Sequence, residues 1–576
     1  MRKIVVSGKT NPYEVSLLSY DAPFAIDEYL QICDPVNSDP ICRVITSEVV
    51  QEEKTKYIAM AKIESAVRYP IASGASVIMP TFESIRNFVM NTEPSDGFVL
   101  GEVFGTGLQD IPMAYKGLVA MYRDGHIEEQ DSIPFVFNHK ALFESPHIGL
   151  FGGSGSGKTV AMKVIIEELM KRDIPGLILD PHLEMNFASC KTEIPQKYRH
   201  DFSSKYETFC IGKNQFGINF SELTTDELIL IMSFSGELSG PMDALLRTLH
   251  RKNMTLLELR SLIDSLVDLI NKMESGIDMD ANDVRFQKMY LSKIPSFNTL
   301  IALSWRLNSL EASGIFDGDE TALVRAIENR KICVLRGSME QIHIVASHII
   351  EKLYMLRRKF IDSRESGIDA SPFPPFFIGM DEAHIFCPHS TNFSLTRKIM
   401  KTIAQEGRKY GVFELLATQR PSLLDETIVA QIANKFIFRL SIKEDLDSIG
   451  KETDLTAAEI KKLPYLHSGE CYVSSSVIGR TMFVKIRYGI TTSKNAINPF
   501  DELGTVKALT DIESAIVAAL PFNDMTKMEV VKKISSATGK TISISQLNAL
   551  CDDLASVGIM SIEKSYMGKM YTKCTQ

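Results

Sequence analysis

The sequence predicts an α/β protein in which a parallel sheet carries helices on both faces and follows a small β-barrel. From about residue 147, strand-length apolar runs alternate with segments of helical apolar spacing. One of these runs, His147–Phe151, leads into a glycine-rich loop that opens a helical segment. Before it, short β-branched runs are separated by turn-forming residues, as in a small barrel. A chain of 576 residues is too long for one hydrophobic core, so several domains are expected.

The N-terminal region is expected to form the barrel, over residues 1–135. Its strands are predicted at Lys3–Val6, Cys42–Thr46, Ala75–Met79 and Gly97–Leu100. This region shows no cluster of residues typical of catalysis. It is therefore either a structural cap or a docking surface for a partner.

The α/β core is expected over residues 136–505. Strand signals stop between Thr224 and Arg325, where apolar residues recur three and four apart, which indicates a helical insertion at about 222–325. Further core strands are predicted at Pro175–Asp180, Lys331–Leu335, Phe376–Met380, Val412–Ala417 and Lys435–Leu440.

The tail, residues 506–576, is expected to be a separate small domain. Three helices are predicted at Ile512–Leu520, Lys527–Ala537 and Ser545–Val557, followed by a hairpin around Gly568. That order suggests a winged helix. Because its basic and acidic residues nearly balance, contact with DNA and contact with protein both remain open.

The composition is that of a soluble globular protein, with 44% apolar and 23% charged residues. No apolar run approaches the roughly 18 residues that span a bilayer, and Met1–Ser7 is too short for a signal peptide. The nine cysteines are scattered without a CxxC pair, so neither a disulfide framework nor a zinc site is indicated. We expect a cytoplasmic protein.

The loop Gly152–Thr159 matches the pattern of a glycine, four residues and Gly-Lys-Ser/Thr that binds nucleoside triphosphates. Glycines let successive backbone N–H groups turn toward one anion at a positive helix N-terminus. Lys158 can reach the β and γ phosphates, and the Thr159 hydroxyl can hold Mg²⁺. The alternative, a flexible linker, is disfavoured because linkers do not lie tightly between a strand and a helix. ATP and Mg²⁺ are the predicted cofactors, and the predicted phosphate contacts are Gly153, Ser154, Gly155, Ser156, Gly157, Lys158, Thr159 and Val160.

An acidic pair, Asp381-Glu382, ends a later apolar strand. Triphosphate hydrolysis needs such a pair: Asp381 to hold the Mg²⁺ shell together with Thr159, and Glu382 to orient the attacking water. The alternative is an ordinary acidic helix start. Gln419 ends the following strand, where its side-chain amide could sense the γ-phosphate.

Two arginines are candidate fingers for the transition-state phosphates. Arg408 lies in Glu406–Gly411, and Arg439 is predicted inside an apolar strand, where a guanidinium needs a charged partner. The nucleotide of a neighbouring subunit would supply that partner. An internal ion pair is the alternative for either arginine.

With these motifs together, the chain resembles the HerA family of hexameric DNA-translocating ATPases, in the FtsK-like branch of P-loop proteins. The resemblance covers most of the chain. It rests on the barrel, the glycine loop, Asp180–Glu184, Asp381–His384, Glu406–Gly411 and Thr418–Pro421.

The resemblance implies a RecA-like core, a barrel like the family's HAS-barrel, and a homo-hexameric ring with double-stranded DNA in its pore. It implies that Asp180 and Glu184 contribute to the nucleotide site and that Arg408 acts across the subunit interface, with Arg439 its counterpart in related motors. Archaeal rings of this family work with a nuclease. Bacterial relatives are similar to components of antiphage systems with a separately encoded effector, such as an NAD-consuming enzyme, for which the barrel is the expected docking site.

The sequence departs from the family at two positions. Leu183 stands where the family usually has glycine, which puts the role of Glu184 in doubt. Pro146 stands where relatives commonly have arginine, which would remove one cationic contact to nucleotide.

The formal net charge of −9 excludes a protein that coats nucleic acid over its whole surface. DNA contact would have to come from a few basic residues multiplied by ring symmetry. The alternative, a solvated helix face, is the more frequent reason for such charges. The candidates are Arg397, Lys398, Lys401, Arg247, Arg251 and Lys252.

Two functions follow from these observations. The first is an ATP-driven ring that moves along duplex DNA and delivers it to a nuclease or other effector. The second is a ring scaffold that assembles and activates an effector, with hydrolysis as a timer. A conjugation-type coupling ATPase is disfavoured because the sequence contains no membrane-spanning run.

Overall fold

The computed structural model describes residues 2–52, 54–212, 216–234, 236–277, 279–389, 394–492, 510–556, 559–565 and 568–573. The chain divides into two compact units, Met1–Ser493 and Lys494–Gln576. The predicted boundary between residues 505 and 506 lies outside the described residues.

The N-terminal part of the first unit is a barrel that closes on itself in the strand order β1-β2-β5-β4-β3-β6. Neighbouring strands pair antiparallel throughout. The alternating apolar residues of these strands fill the barrel, which has its own hydrophobic cluster. The strands are β1 (Ile4–Ser7), β2 (Glu14–Ser19), β3 (Tyr29–Ile32), β4 (Ile41–Gln51), β5 (Thr55–Ile63) and β6 (Ser76–Ile78).

The rest of the first unit alternates strands and helices. Its elements are α1 (Phe82–Val89), β7 (Phe98–Val103), β8 (Ala120–Arg123), β9 (His126–Glu129), β10 (Pro134–Phe137), β11 (Ile148–Phe151), α2 (Lys158–Lys171), β12 (Gly176–Leu179), β13 (Tyr206–Cys210), α3 (Thr225–Met232), α4 (Gly240–Leu249), α5 (Leu256–Ser275), α6 (Ala281–Tyr290), α7 (Phe297–Ala312), α8 (Thr321–Glu328), β14 (Ile332–Arg336), α9 (Met339–Glu365), β15 (Phe376–Met380), α10 (Ala383–Phe386), α11 (Leu395–Tyr410), β16 (Val412–Thr418), α12 (Glu426–Gln431), β17 (Asn434–Ile437), α13 (Lys443–Glu452), α14 (Ala457–Lys462), β18 (Glu470–Ser475) and β19 (Arg480–Ile486).

Eleven strands of the described residues form one sheet, in the order β10-β7-β19-β18-β17-β11-β16-β15-β12-β14-β13. The strands from β17 to β13 are parallel, and those from β18 to β10 extend the sheet antiparallel. Successive residues of the central strands belong to opposite faces: Leu177 and Leu179 lie in one buried cluster and Ile178 in another. The predicted α/β class with an N-terminal barrel is therefore confirmed.

The structure differs from the sequence analysis at the end of the barrel. The strand predicted at Gly97–Leu100 is part of β7, which pairs with β10 and β19 in the large sheet rather than in the barrel. Short β-branched runs look alike in either location, because the choice of partner strand depends on residues far away in the sequence. The barrel strands end at Ile78.

Helices α3 to α8 follow one another between β13 and β14 and correspond to the predicted insertion. Their apolar faces, including Leu259, Ile263 and Leu266 of α5, join the cluster on one face of the sheet. Helix α2 lies in the cluster of the opposite face. Both faces of the parallel strands are thus covered, as a parallel sheet requires.

The second unit is a small domain with its own buried cluster. Its hairpin strands pair from Met560 to Lys573, and Phe522 pairs with Tyr571 to complete a three-stranded sheet. Three helices followed by a hairpin is the order of a winged helix. The elements are α15 (Asp511–Ala518), β20 (Phe522–Asn523), α16 (Lys527–Thr538), α17 (Ile544–Ser556), β21 (Met560–Ser565) and β22 (Gly568–Lys573).

Candidate nucleotide site

The glycine loop joins β11 to α2 at the carboxyl edge of the parallel strands. Gly155 and Gly157 have positive φ angles of 65° and 104°, a conformation that a side chain would strain. A Cβ atom on Gly157 would also lie 2.7 Å from the backbone nitrogen of Gly469, so this position has no room for one. The first turn of α2 follows at once, and its unpaired N–H groups give the loop a positive end.

The loop has the features of a phosphate cradle. The Lys158 ammonium donates to the Gly153 carbonyl at 3.1 Å, at the mouth of the loop. The Ser156 hydroxyl is buried and has no hydrogen-bond partner among the residues that the structure describes. Burial lowers the pKa of Lys158 below its usual value, against the opposing effect of nearby carboxylates. A buried ammonium is unfavourable without an opposite charge nearby. A polyanion bound in the loop would provide that charge and would raise the pKa of Lys158 again.

Asp381 follows β15 and faces the start of α2. Its carboxylate accepts a hydrogen bond from the Thr159 hydroxyl at 3.0 Å and another from the Glu382 amide at 2.9 Å. Burial raises the pKa of Asp381 above its usual value. A divalent cation between Thr159 and Asp381 would hold the carboxylate ionised, so these two oxygen groups fit Mg²⁺.

No three His, Cys, Asp or Glu side chains within the described parts of the chain gather to hold a metal by themselves.

Glu382 adopts a left-handed backbone conformation, with φ of 50°, which costs about 1–3 kcal/mol for a residue other than glycine. Its carboxylate accepts from the backbone amide of Gln419 at 3.3 Å and from the Gln419 side chain. His384 lies 3.5 Å from the same carboxylate and hydrogen-bonds the Thr418 hydroxyl at 2.9 Å. Strain held by several contacts at the end of a strand is typical of a functional position.

The pair Glu382–Gln419 joins the ends of two neighbouring strands. Strand β16 lies between β15 and the loop strand β11. The Thr418 carbonyl accepts from the Gly152 amide at 3.2 Å, so the end of β16 also contacts the glycine loop. Direct hydrogen bonds therefore connect the end of β15, the end of β16 and the start of the glycine loop.

Asp180, whose contribution to the nucleotide site stays a prediction, has hydrogen-bond partners within the chain. Its two oxygens accept from the backbone amides of Glu184 and Met185, at 2.8 and 3.2 Å, and the Arg336 guanidinium donates to it at 2.9 Å. Asp180 thus closes the loop after β12. Leu183 in that loop has a φ of 59°, the left-handed conformation for which the family's glycine is suited.

Glu184 remains beside the nucleotide loop. Its pKa is raised, first by burial and then by the Asp381 carboxylate. The Glu184 carboxylate is also among the groups that oppose the pKa decrease of Lys158. Its role in nucleotide binding, and that of the half-exposed Val160 on α2, stay predictions.

The two candidate finger arginines lie at different edges of the sheet. Arg439 follows β17 by two residues, so the prediction that it lies inside the strand is wrong. Its guanidinium is 3.4 Å from the carbonyls of Ser154 and Gly155 of its own glycine loop. Arg408 ends α11 at the opposite edge, where it is exposed and donates to the Glu144 carbonyl at 3.2 Å.

The candidate DNA-contacting residues are mostly engaged within the chain. Arg247 pairs with Asp226 and Asp243 at 2.7 and 2.6 Å, and Lys401 lies 3.4 Å from Asp425. Arg251 donates a hydrogen bond to the Tyr290 hydroxyl, and Arg397 donates one to the Pro388 carbonyl. Lys398 and Lys252 are exposed.

Sequence reasoning missed three residues that shape the site. Gly469 donates its amide to the Ser156 carbonyl at 2.9 Å, Arg336 fixes Asp180, and His384 contacts Glu382. The position of Arg336 at the carboxyl end of a predicted strand could have indicated that it lies near the nucleotide site. For Gly469 the local Ser-Gly pair indicates only a turn.

Residues 123–353 match the family model for the central domain of the helicase HerA. A probable helicase of Methanocaldococcus jannaschii is 23% identical over 77% of this chain and 82% of that protein. The DNA double-strand break repair helicase HerA of Pyrococcus furiosus is 26% identical over 59% of this chain and 65% of that protein.

Among solved structures, the bacterial conjugative coupling protein TrwB aligns with a TM-score of 0.41 and 11% identity, over 62% of this chain and 89% of that one. In the described parts of this chain, no helix combines the length and the apolar character that crossing a membrane requires. Residues 123–353 are therefore similar to the central domain of HerA, and the chain is a P-loop ATPase with similarity to helicases.

Proposed function

We propose that this chain forms a homo-hexameric ring, hydrolyses ATP with Mg²⁺, and uses the energy to move double-stranded DNA through its pore. The observation that carries the proposal is the hydrogen-bonded pair Glu382–Gln419 beside the Thr159–Asp381 pair, at the mouth of the glycine loop. In this proposal the arrangement would serve as a metal position, a water-orienting carboxylate and a sensor at three neighbouring strand ends. One relative, from Pyrococcus furiosus, is a helicase of DNA double-strand break repair, which favours duplex DNA as the substrate.

Each side chain has a stated task in this proposal. The loop amides and Lys158 bind the phosphates, and Thr159 and Asp381 would hold Mg²⁺, which supplies neutralisation of charge on the phosphates. Glu382 orients the attacking water. Gln419 responds when Glu382 changes its contacts at the γ-phosphate.

The two candidate arginine fingers have different proposed roles, because they lie at different positions. Arg439, beside its own loop, would contact the phosphates within one chain. Arg408, exposed at the other edge, would reach the nucleotide of the next chain in the ring. A head-to-tail ring brings different surfaces of neighbouring copies together, which is what an arginine acting across the interface requires.

A separately encoded effector, a nuclease or an NAD-consuming enzyme of an antiphage system, would dock on the barrel in the cytoplasm. The barrel exposes apolar side chains, among them Val36 and Tyr69, whose segments are joined by a hydrogen bond from Asn37 to the Tyr69 carbonyl at 3.1 Å. Exposed apolar groups of this kind are typical of protein contact surfaces.

A second function, a ring scaffold that activates the effector without processive movement, is favoured by one observation. Most candidate DNA-contacting cations are engaged within the chain, and the net charge is −9. Fewer unpaired cations give less of the phosphate attraction on which movement along DNA depends.

The test is the ATPase rate of the full-length protein with and without linear duplex DNA. The motor proposal expects stimulation that weakens as salt increases, because phosphate contacts release counterions. Lys158→Ala should abolish hydrolysis in both conditions. An unchanged rate with DNA, together with a change on adding effector, would replace the motor by the scaffold.

A further inference from the structure

A buried cluster of charges joins the barrel to the ATPase core. Arg43 of β4 is fully buried and contacts three carboxylates: Asp27 at 2.6 Å, Glu64 at 3.1 Å and Glu459 at 2.5 Å. Asp27 and Glu64 belong to the barrel, whereas Glu459 belongs to α14. Lys462 of the same helix pairs with Asp27.

This cluster fixes orientation more than it adds stability. Removing charges from water costs several kcal/mol per ion, which attraction between them only partly offsets. A guanidinium, in contrast, binds carboxylates only in the plane and directions of its fork. The side chain of Arg43 therefore defines how the barrel lies against α14.

The segment that follows α14 in the sequence contacts the nucleotide loop. Leu463 and Leu466, just after α14, are buried in the core, so the segment is anchored along its length. A tight turn follows, in which the Glu470 carboxylate accepts from the His467 amide at 2.9 Å. The amide of Gly469 in that turn donates to the Ser156 carbonyl at 2.9 Å.

The turn and the nucleotide loop pack so closely that no side chain fits between them at Gly157. A Cβ atom on Gly157 would lie 2.7 Å from the Gly469 nitrogen and 3.0 Å from its Cα. The Gly469 carbonyl is itself held by the amide of Ile486 at 2.9 Å. A shift of the turn toward the loop would therefore displace the loop, and a shift away from it would break the hydrogen bond from Gly469 to Ser156.

We propose that the Arg43–Glu459 ion pair and the turn ending at Gly469 form one positioning device, through which the seating of the barrel sets the geometry of the phosphate loop. The inference rests on the proposed nucleotide site. Glu459 and Gly469 are positioning residues: neither touches the nucleotide. In the opposite direction, nucleotide binding would tighten the contact between the barrel and α14, since coupling between two sites is reciprocal.

The first test measures binding of a fluorescent ATP analogue with Mg²⁺ to the full-length protein. Glu459→Gln keeps the shape of the side chain and removes its charge, and Gly469→Ala strains the turn at a φ of 81° without a steric clash. Each change should weaken binding about tenfold, and the double variant should also weaken it about tenfold, because both act through one element. Lys56→Gln is the matched control: it removes the barrel ion pair with Glu52, which contains no residue of the buried cluster, and should leave binding unchanged.

Two results would overturn the proposal. In one, Glu459→Gln lowers the melting temperature but leaves analogue affinity unchanged. In the other, the double variant shows the product of the two single effects, about a hundredfold, as independent sites do.

A second measurement needs no variant. Saturating the wild-type protein with a slowly hydrolysed ATP analogue should slow amide hydrogen exchange in segments 41–46 and 457–462, far along the chain from the loop. Unchanged exchange in both segments would contradict the proposal. Because these readouts use nucleotide binding, a failure of DNA to stimulate hydrolysis would refute the motor and leave this inference standing.

Discussion

At the residue scale, the proposed catalytic role and backbone strain coincide at Glu382. Its left-handed conformation is disfavoured by itself, and the hydrogen bonds from Gln419 hold the carboxylate in place. The sequence predicted the role of each residue from its position after a strand. It could not predict their mutual contact, because that depends on the register between β15 and β16.

The effect of Glu414, in β16, on the free energy of unfolding depends on pH. Its carboxyl is fully buried, neither oxygen has a hydrogen-bond partner in the described structure, and burial raises its pKa well above the usual value. The folded chain therefore keeps a proton that the unfolded chain releases above about pH 4.3. The wild-type protein should lose up to about 1.4 kcal/mol of stability from this group for each pH unit above that value, until the folded-state pKa is passed.

Glu414→Gln should remove that loss, because an amide of nearly the same shape does not titrate. We expect the melting temperature of the variant to exceed that of the wild type by a margin that grows from pH 5 to pH 8. The exposed Glu328→Gln serves as the control and should follow the wild type at every pH. A constant difference between Glu414→Gln and wild type across this range would show that Glu414 is already ionised in the folded chain.

At the element scale, the segment after β19 clamps α2, the helix that the nucleotide loop opens. The buried Glu167 of α2 accepts from the amides of Ile490 and Thr491, at 3.2 and 2.9 Å, and pairs with Arg487 at 2.8 Å. Lys163 of α2 donates to the Thr492 carbonyl at 2.8 Å. This clamp explains why charged residues of α2 are buried among its apolar ones.

Glu167→Gln should release the segment 487–492. Breaking a buried ion pair typically costs about 3–5 kcal/mol, and we expect the lower end because Arg487 retains Glu168 at 3.3 Å. Urea unfolding should show a lower midpoint, and amide exchange should rise in segment 487–492. The exposed Glu128→Gln, which also loses an arginine contact, should change neither. Exchange that stays slow in Glu167→Gln would mean that Glu167 does not hold the segment.

Elements with strong local patterns could be predicted from sequence, and elements defined by distant partners could not. The strand–loop–helix unit at Ile148–Lys171 and the strands that end at Met380 and Thr418 carry their signals in adjacent residues. Strand β7 was assigned to the barrel because its partner in the large sheet, β19, lies hundreds of residues away in the sequence. Strands β18 and β19 were not predicted. The position of Gly469 against the loop is non-local in the same way.

At the scale of the whole molecule, the two arginines have different proposed roles: one acts within its own chain, and the other acts between neighbouring chains of the proposed ring. Arg439 lies at its own nucleotide loop, and Arg408 is exposed at the far edge of the same sheet. If Arg408 completes the site of the next chain, a site can be rebuilt from two defective copies. Neither a Lys158→Ala chain nor an Arg408→Ala chain alone has one complete site.

Co-assembly of the two variants should restore hydrolysis. In a randomly mixed ring, about one quarter of the interfaces place an intact loop from an Arg408→Ala chain against an intact arginine from a Lys158→Ala chain, so roughly a quarter of wild-type activity should return. Mixing Arg439→Ala with Lys158→Ala is the matched control and should restore none, because each chain then lacks a group at its own site. Recovery in the control but not in the first mixture would reverse the two assignments, with Arg439 acting between chains and Arg408 within one. Equal absence of recovery in both, with rings formed, would mean that neither arginine crosses the interface.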